Sequence, residues 1–213
     1  MKLFNKRKTS GLVAAAALVL TTLAMGSPAH AATTFTPSGG PNVNFVGSSV
    51  SFKAIQANQT LTCSTFNLAG SVVNPGTSRA IGANAGNLGS LTSSGCTNPI
   101  AGATTVTPTG TWGVTITGDE VSSVSPARLT SVAATVTAAG CTFPVGGTVA
   151  GTFNDSTQKF TPATGASGLK ITGVPSGFLC GILGLANGQD IEVGGSWTNT
   201  PPAGSTNLLI ATA

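Results

Sequence analysis

Ser93-Ser94-Gly95-Cys96-Thr97-Asn98-Pro99-Ile100-Ala101-Gly102 and, 45 residues further on, Ala138-Ala139-Gly140-Cys141-Thr142-Phe143-Pro144-Val145-Gly146-Gly147 share one pattern. Each sets a cysteine after a run of small residues and then a proline, which has no N–H to give to a sheet ladder. The other two cysteines, Cys63 and Cys180, flank this pair, so the four together span one body rich in Gly, Thr and Ser.

Outward from these segments, apolar positions alternate with Thr and Ser. The rhythm is clear in Val50-Ser51-Phe52-Lys53, in Leu61 to Phe66, in Trp112 to Thr117 and in Val132 to Thr137. It returns in Thr148 to Phe153, in Leu169 to Thr172 and from Ile191 to Trp197. Period two is the mark of a half-buried strand, and no stretch sustains the 3.6-residue period of a helix. Gly, Pro and Asn punctuate the gaps. The pattern predicts an all-β fold, an antiparallel β-sandwich of Ig-like or jelly-roll-like type with about eight to eleven strands, stapled by disulfides. Asn154-Asp155-Ser156-Thr157-Gln158 reads as a hairpin turn. Residues 70–90 read as a long loop with one short strand, and Pro175, Gly177, Gly181 and Gly184 make the surroundings of Cys180 irregular.

The first 31 residues read as an address. Lys2, Lys6, Arg7 and Lys8 precede an apolar stretch from Leu12 to Leu23, and Ala29-His30-Ala31 offers the small residues of a signal-peptidase site. The apolar run is too short to anchor the chain in a bilayer, which needs about 20 residues. Residues 32–42 then form a flexible lead-in, and residues 43–213 a single domain without a membrane span.

Removal of the leader changes the chemistry on offer. The formal charge of +4 belongs to the leader, leaving Lys53, Arg79, Arg128, Lys159 and Lys170 against Asp119, Glu120, Asp155, Asp190 and Glu192. No basic cluster for nucleic acid remains. The only histidine, His30, leaves too, and the chain has no tyrosine. Ser-His-Asp or Cys-His catalysis therefore lacks its base, and a histidine-ligated zinc lacks its ligands. The cysteines show no Cys-x-x-Cys hook, so in an exported chain they read as disulfides rather than a metal site. Neither metal nor cofactor is expected.

Four cysteines permit three pairings. A second internal alignment bears on the choice: Cys96 precedes Trp112 by 16 residues, and Cys180 precedes Trp197 by 17. Two equivalent halves of that kind favour Cys63–Cys96 and Cys141–Cys180.

Leu61-Thr62-Cys63, Cys96-Thr97-Asn98-Pro99, Thr107-Pro108-Thr109-Gly110-Thr111-Trp112, Gly140-Cys141 and Gly194-Gly195-Ser196-Trp197-Thr198 together resemble a family of small exported actinobacterial proteins of unassigned function. They are more loosely similar to the secreted proteins named as activators of alkane oxidation. The resemblance covers roughly residues 43–200. It implies an exported β-sandwich with a surface or accessory role, and it supplies no catalytic residue.

Among candidate sites, Asp190 and Glu192 are spaced to share a strand face and offer the one conceivable glycosidase pair, against the plainer reading of a solvated face. Asp119-Glu120 lacks the spacing of a calcium loop. Asn58-Gln59-Thr60 and Asn154-Asp155-Ser156 match the N-glycosylation pattern incidentally. Trp112 and Trp197 are the candidate ligand platforms, against core packing as the commoner fate of a large aromatic in an interior phase of a strand. Ten charges also leave few strand edges guarded, which favours self-association or packing against envelope components. The expectation is a non-enzymatic, exported structural or adhesive cell-surface protein, secreted or held at the envelope. The second reading is a binding module for a carbohydrate or apolar ligand that uses exposed Trp.

Overall fold

The computed structural model describes residues 31–213, so residues 1–30 of the expected leader lie outside the described residues. The strands are β1 (Thr34–Gly40), β2 (Asn42–Ala54), β3 (Gln59–Val72), β4 (Arg79–Ala80), β5 (Asn84–Asn98), β6 (Gly102–Pro108) and β7 (Trp112–Ile116). They continue as β8 (Val124–Ala138), β9 (Cys141–Asn154), β10 (Lys159–Pro162), β11 (Leu169–Ile171), β12 (Asp190–Gly194), β13 (Trp197–Asn199) and β14 (Thr206–Thr212), with helix α1 (Phe178–Ile182) between β11 and β12. All strand pairings are antiparallel, and the fold is the all-β, sandwich-like, disulfide-stapled body that the period-two pattern predicts.

The main sheet also closes on itself. Five long strands fall into two directly paired runs, β2–β3–β5 and β8–β9, joined by short strands laid end to end: β6 and β7 both bridge β5 to β8, while β10 with β13 and β11 with β12 both bridge β9 to β2. The two faces of the sandwich are thus continuous along both sides. Closure is the one arrangement that removes edges altogether, so a nearly uncharged chain needs no lysine to guard them.

Alternation alone does not let one strand serve both halves of the interior. In β2 the buried positions run Val43 and Phe45, then switch phase to Val50 and Ala54; in β8 they run Ala127 and Leu129, then Val132, Ala134 and Val136. The switches fall at Ser49 and Ser131, both with positive φ. An extra residue at such a point bends the strand and keeps both halves facing inward.

Two expectations are corrected here. Residues 34–40 are not a flexible lead-in but strand β1, paired with β14 and β4, with Phe35 fully buried under the Arg79 guanidinium. Residues 84–90 are not loop but the start of β5, paired with β3 and β7. The small side chains there serve a close approach, since a Cβ on Gly70 of β3 would run into the Asn87 carbonyl.

β14, β1 and β4 form a separate three-stranded sheet. Its outer edge is sealed by side chains. Gln158, at the end of the Asn154–Gln158 hairpin turn, donates from Nε2 to the Leu208 carbonyl at 2.8 Å and accepts at Oε1 from the Leu208 N–H at 2.9 Å. Its amide therefore stands where another strand would pair, and Asn199 Nδ2 donates to the same Oε1 at 3.0 Å. We expect Gln158→Ala to cost about 2 kcal/mol, within the range for a buried polar group left unpaired. It should also produce concentration-dependent oligomers, as read by denaturant titration and sedimentation.

Candidate functional site

The interior is built around an aromatic layer. Phe66 of β3 lies 6.0 Å from Trp112 of β7 and 6.3 Å from Trp197 of β13, and Phe160 of β10 lies 6.1 Å from Trp197, centroid to centroid. Both indoles are buried, at 3% exposure for Trp112 and 2% for Trp197. Their N–H groups are satisfied internally: Trp197 donates to the Phe66 carbonyl at 2.7 Å, and Trp112 to the Thr109 and Ala133 carbonyls at 3.3 Å. The exposed Trp platform expected from the sequence is therefore corrected. A ring with its apolar body among Phe side chains and its N–H on a carbonyl is placed for the core.

Each Trp nevertheless borders a cavity. One, of about 50 Å³, is lined by Phe45, Leu129, Phe153 and Trp197 of the main sheet and closed by Pro37 and Ile210 of the small sheet. The other, of about 70 Å³, is lined by Phe66, Trp112, Ala134 and Val136, and is closed by Leu183 and Leu185 from the segment that carries α1. The second contains two amides. Asn98 Nδ2 donates to the Thr60 carbonyl and its Oδ1 accepts from the N–H groups of Ile100 and Ala101, so its hydrogen bonds are made within the protein. Gln59 Oε1 accepts from Asn98 Nδ2 at 3.4 Å, and apart from these amides and Thr104 the second cavity offers a guest hydrocarbon surface.

The segment 172–189 lies over this cavity as a lid. The Cys141–Cys180 disulfide ties α1 to the start of β9, and Thr142 and Ser176 exchange backbone hydrogen bonds beside it. Leu179 N–H adds a bond to the Gly140 carbonyl. Toward the β2–β3 and β5–β6 turns the lid makes apolar contact, with Ala101 packed against the Cys141, Cys180 and Leu183 cluster. Among the described residues no hydrogen bond joins residues 173–189 to those two turns. The lid is fastened along β9, and its C-terminal end is held where Asp190 bonds to Ile55 and Gln56 of the β2–β3 turn.

Sequence reasoning placed the staple correctly but did not see the lid. Phe178-Leu179-Cys180-Gly181-Ile182-Leu183-Gly184-Leu185 is an apolar run without period two, and that departure from the strand rhythm was the available signal.

The carboxylates are occupied structurally. Asp190 accepts from Lys170 Nζ and Gln56 Nε2, and these two partners hold its pKa below the usual carboxylate value. Glu192 accepts from the Gly165 N–H, Asp119 from the Ala32 N–H and Glu120 from the Ser123 N–H. Asp190 and Glu192 do share a strand, but each is engaged by its own partner, and neither lines either of these two cavities. Among the described residues there is no group of three His, Cys, Asp or Glu able to hold a metal ion. No described helix is long and apolar enough to cross a membrane. Comparison of the chain with known protein families, with characterised proteins and with solved structures finds no match.

Proposed function

We propose that this chain is a non-enzymatic, exported binding protein that holds an apolar molecule inside its sandwich, at or near the cell envelope. The observation that carries this reading is the cavity of about 70 Å³ bordered by Trp112 and closed by a lid stapled to β9. A hydrocarbon guest suits this lining better than a carbohydrate, because Gln59, Asn98 and Thr104 are its only polar residues and Asn98 already makes its hydrogen bonds within the protein, leaving most of a sugar's hydroxyls unpaired. The structural or adhesive reading, first from the sequence, rests on the leader, the missing catalytic residue types and the low charge; closure of the main sheet leaves it fewer open strand edges for self-association.

The cavity volume sets a condition on binding. A dry apolar cavity that takes benzene measures about 150 Å³, roughly twice the space here. A guest must therefore displace Leu183 and Leu185, and between the staple and Asp190 the lid meets the β2–β3 and β5–β6 turns through apolar contact, without a hydrogen bond to break.

Titration with a fluorescent fatty-acid analogue tests the reading. Saturable one-to-one binding is expected, with a change in Trp emission and displacement by a long-chain alkane. Ala134→Phe, which fills the cavity beneath the lid, should weaken binding at least tenfold, about 1.4 kcal/mol, while Ala127→Leu in the other cavity should leave it unchanged. Absence of saturable binding, or binding indifferent to Ala134→Phe, would overturn the proposal.

A further inference from the structure

The lid is apolar on its outside as well. Leu179, Cys180 and Leu183 face inward, while Phe178 and Ile182, one helical turn apart, are 82% and 60% exposed. Val174 on the approach to α1 is 82% exposed, and Ile100 at the tip of the adjoining β5–β6 turn is 60% exposed. A helix that is apolar all round belongs either in a protein interior or in a membrane. Here one face already has its interior and the other has nothing.

Charge is distributed to match. Residues 171–189 contain no charged side chain, and neither do the turns that surround the lid, 55–58, 99–101 and 139–140. The nearest charged groups, Lys53, Lys170, Asp190 and Glu192, sit on strands β2, β11 and β12 of the wall. The opposite end carries Arg79, Asp119, Glu120 and Asp155 in its loops and small sheet. The charge closest to the lid in sequence is the Asp190 carboxylate, already paired with Lys170 and bonded to Gln56, so the lid's exposed apolar side chains can leave water without stripping an unpaired ion.

We infer that the lid end docks into the apolar layer of a lipid surface through Phe178, Ile182, Val174 and Ile100. The shape of the patch favours lipid over a protein partner. Two of its side chains stand more than four-fifths exposed, so they project singly, and a fluid hydrocarbon phase surrounds such knobs without needing a complementary surface. Lipid contact would also place the outer face of the lid in the same medium as the guest proposed for the cavity. The inference builds on that binding reading, but the docking surface is separate from the cavity and is tested separately.

Flotation of the folded body, Ala32 to Ala213 with both disulfides intact, on vesicles of neutral phosphatidylcholine provides the test. Binding is expected without added guest and should persist at high salt, since no ion pairs are formed. Phe178→Ser with Ile182→Ser should reduce the bound fraction at least tenfold with an unchanged melting temperature, because both side chains already face water. Val121→Ser, at a residue 68% exposed in the β7–β8 connection, should leave binding unchanged. Failure of the unaltered protein to float, binding abolished by salt, or binding untouched by the double substitution would each overturn the inference. So would a dimer lost in the double variant together with no lipid binding, since the occupant would then be a second copy. A protein that floats but takes up no fatty-acid analogue would sink the cavity reading alone; one that takes up the analogue but does not float would sink this one alone.

Discussion

Trp197→Ala should lower the stability of the fold by about 3–5 kcal/mol, the range for truncating a large buried aromatic. Trp197 is the largest side chain that is almost completely buried, and its indole N–H donates to the Phe66 carbonyl at 2.7 Å. Its neighbour across the ladder is Gly47, where a Cβ would come within 2.6 Å of Nε1 and 2.7 Å of the Phe66 oxygen. Gly47→Ala should therefore push the indole off its acceptor and destabilise strongly as well. Trp197→Phe retains most of the bulk and should cost less, with the lost hydrogen bond contributing about 0.5–1.5 kcal/mol. Denaturant titration of the three variants gives the ordering. A Trp197→Ala protein within about 1 kcal/mol of the unaltered one would mean that the aromatic layer is not the centre of the core.

Removing either disulfide should have an effect of similar size but different character. Cys63–Cys96 joins residues directly opposite on β3 and β5, and Cys141–Cys180 joins β9 to the lid, with sequence separations of 33 and 39. Loops of that length correspond to about 4 kcal/mol each in the chain-entropy account, or a fall in melting temperature of roughly 8–16 °C for a domain of this size. Cys63→Ser with Cys96→Ser should lower the stability of the whole fold. Cys141→Ser with Cys180→Ser should in addition speed hydrogen exchange selectively in residues 172–189, because those residues lose their main tether to β9. Uniform exchange across the molecule in the second variant would contradict the description of this segment as a lid.

The pairing of the cysteines was legible because two features agreed, the even count and the repeated cysteine-to-Trp spacing, and the structure forms Cys63–Cys96 and Cys141–Cys180. Strands such as Val132 to Thr137 were legible because one face meets the core and the other meets water. β1 was not, because Thr-Phe-Thr-Pro-Ser-Gly-Gly becomes strand through partners at residues 206–212, at the far end of the sequence. Closure of the sheet was hidden for a related reason: period two reports which side of a strand is buried and carries no record of what pairs along its edges. The site followed the same division. The two Trp were singled out, but whether a ring in an alternating strand faces a neighbour's carbonyl or open solvent depends on Gly47, Phe66 and Ala133, none of which is adjacent to it in sequence.

The pairing of β1 with β14 also fixes an order of events. During synthesis Thr34–Gly40 is made early, whereas Thr206–Thr212 follows about 170 residues later. Contacts so distant along the chain form late, since the intervening loop must be closed before they return any stabilisation. Until then, β1 has only the two-residue β4 beside it, and Pro37 and Ile210 cannot meet over the cavity they close. The nascent protein therefore passes through a stage in which its main sheet can be complete while that end stands open to water, and the final strand to be made is the one that shuts it.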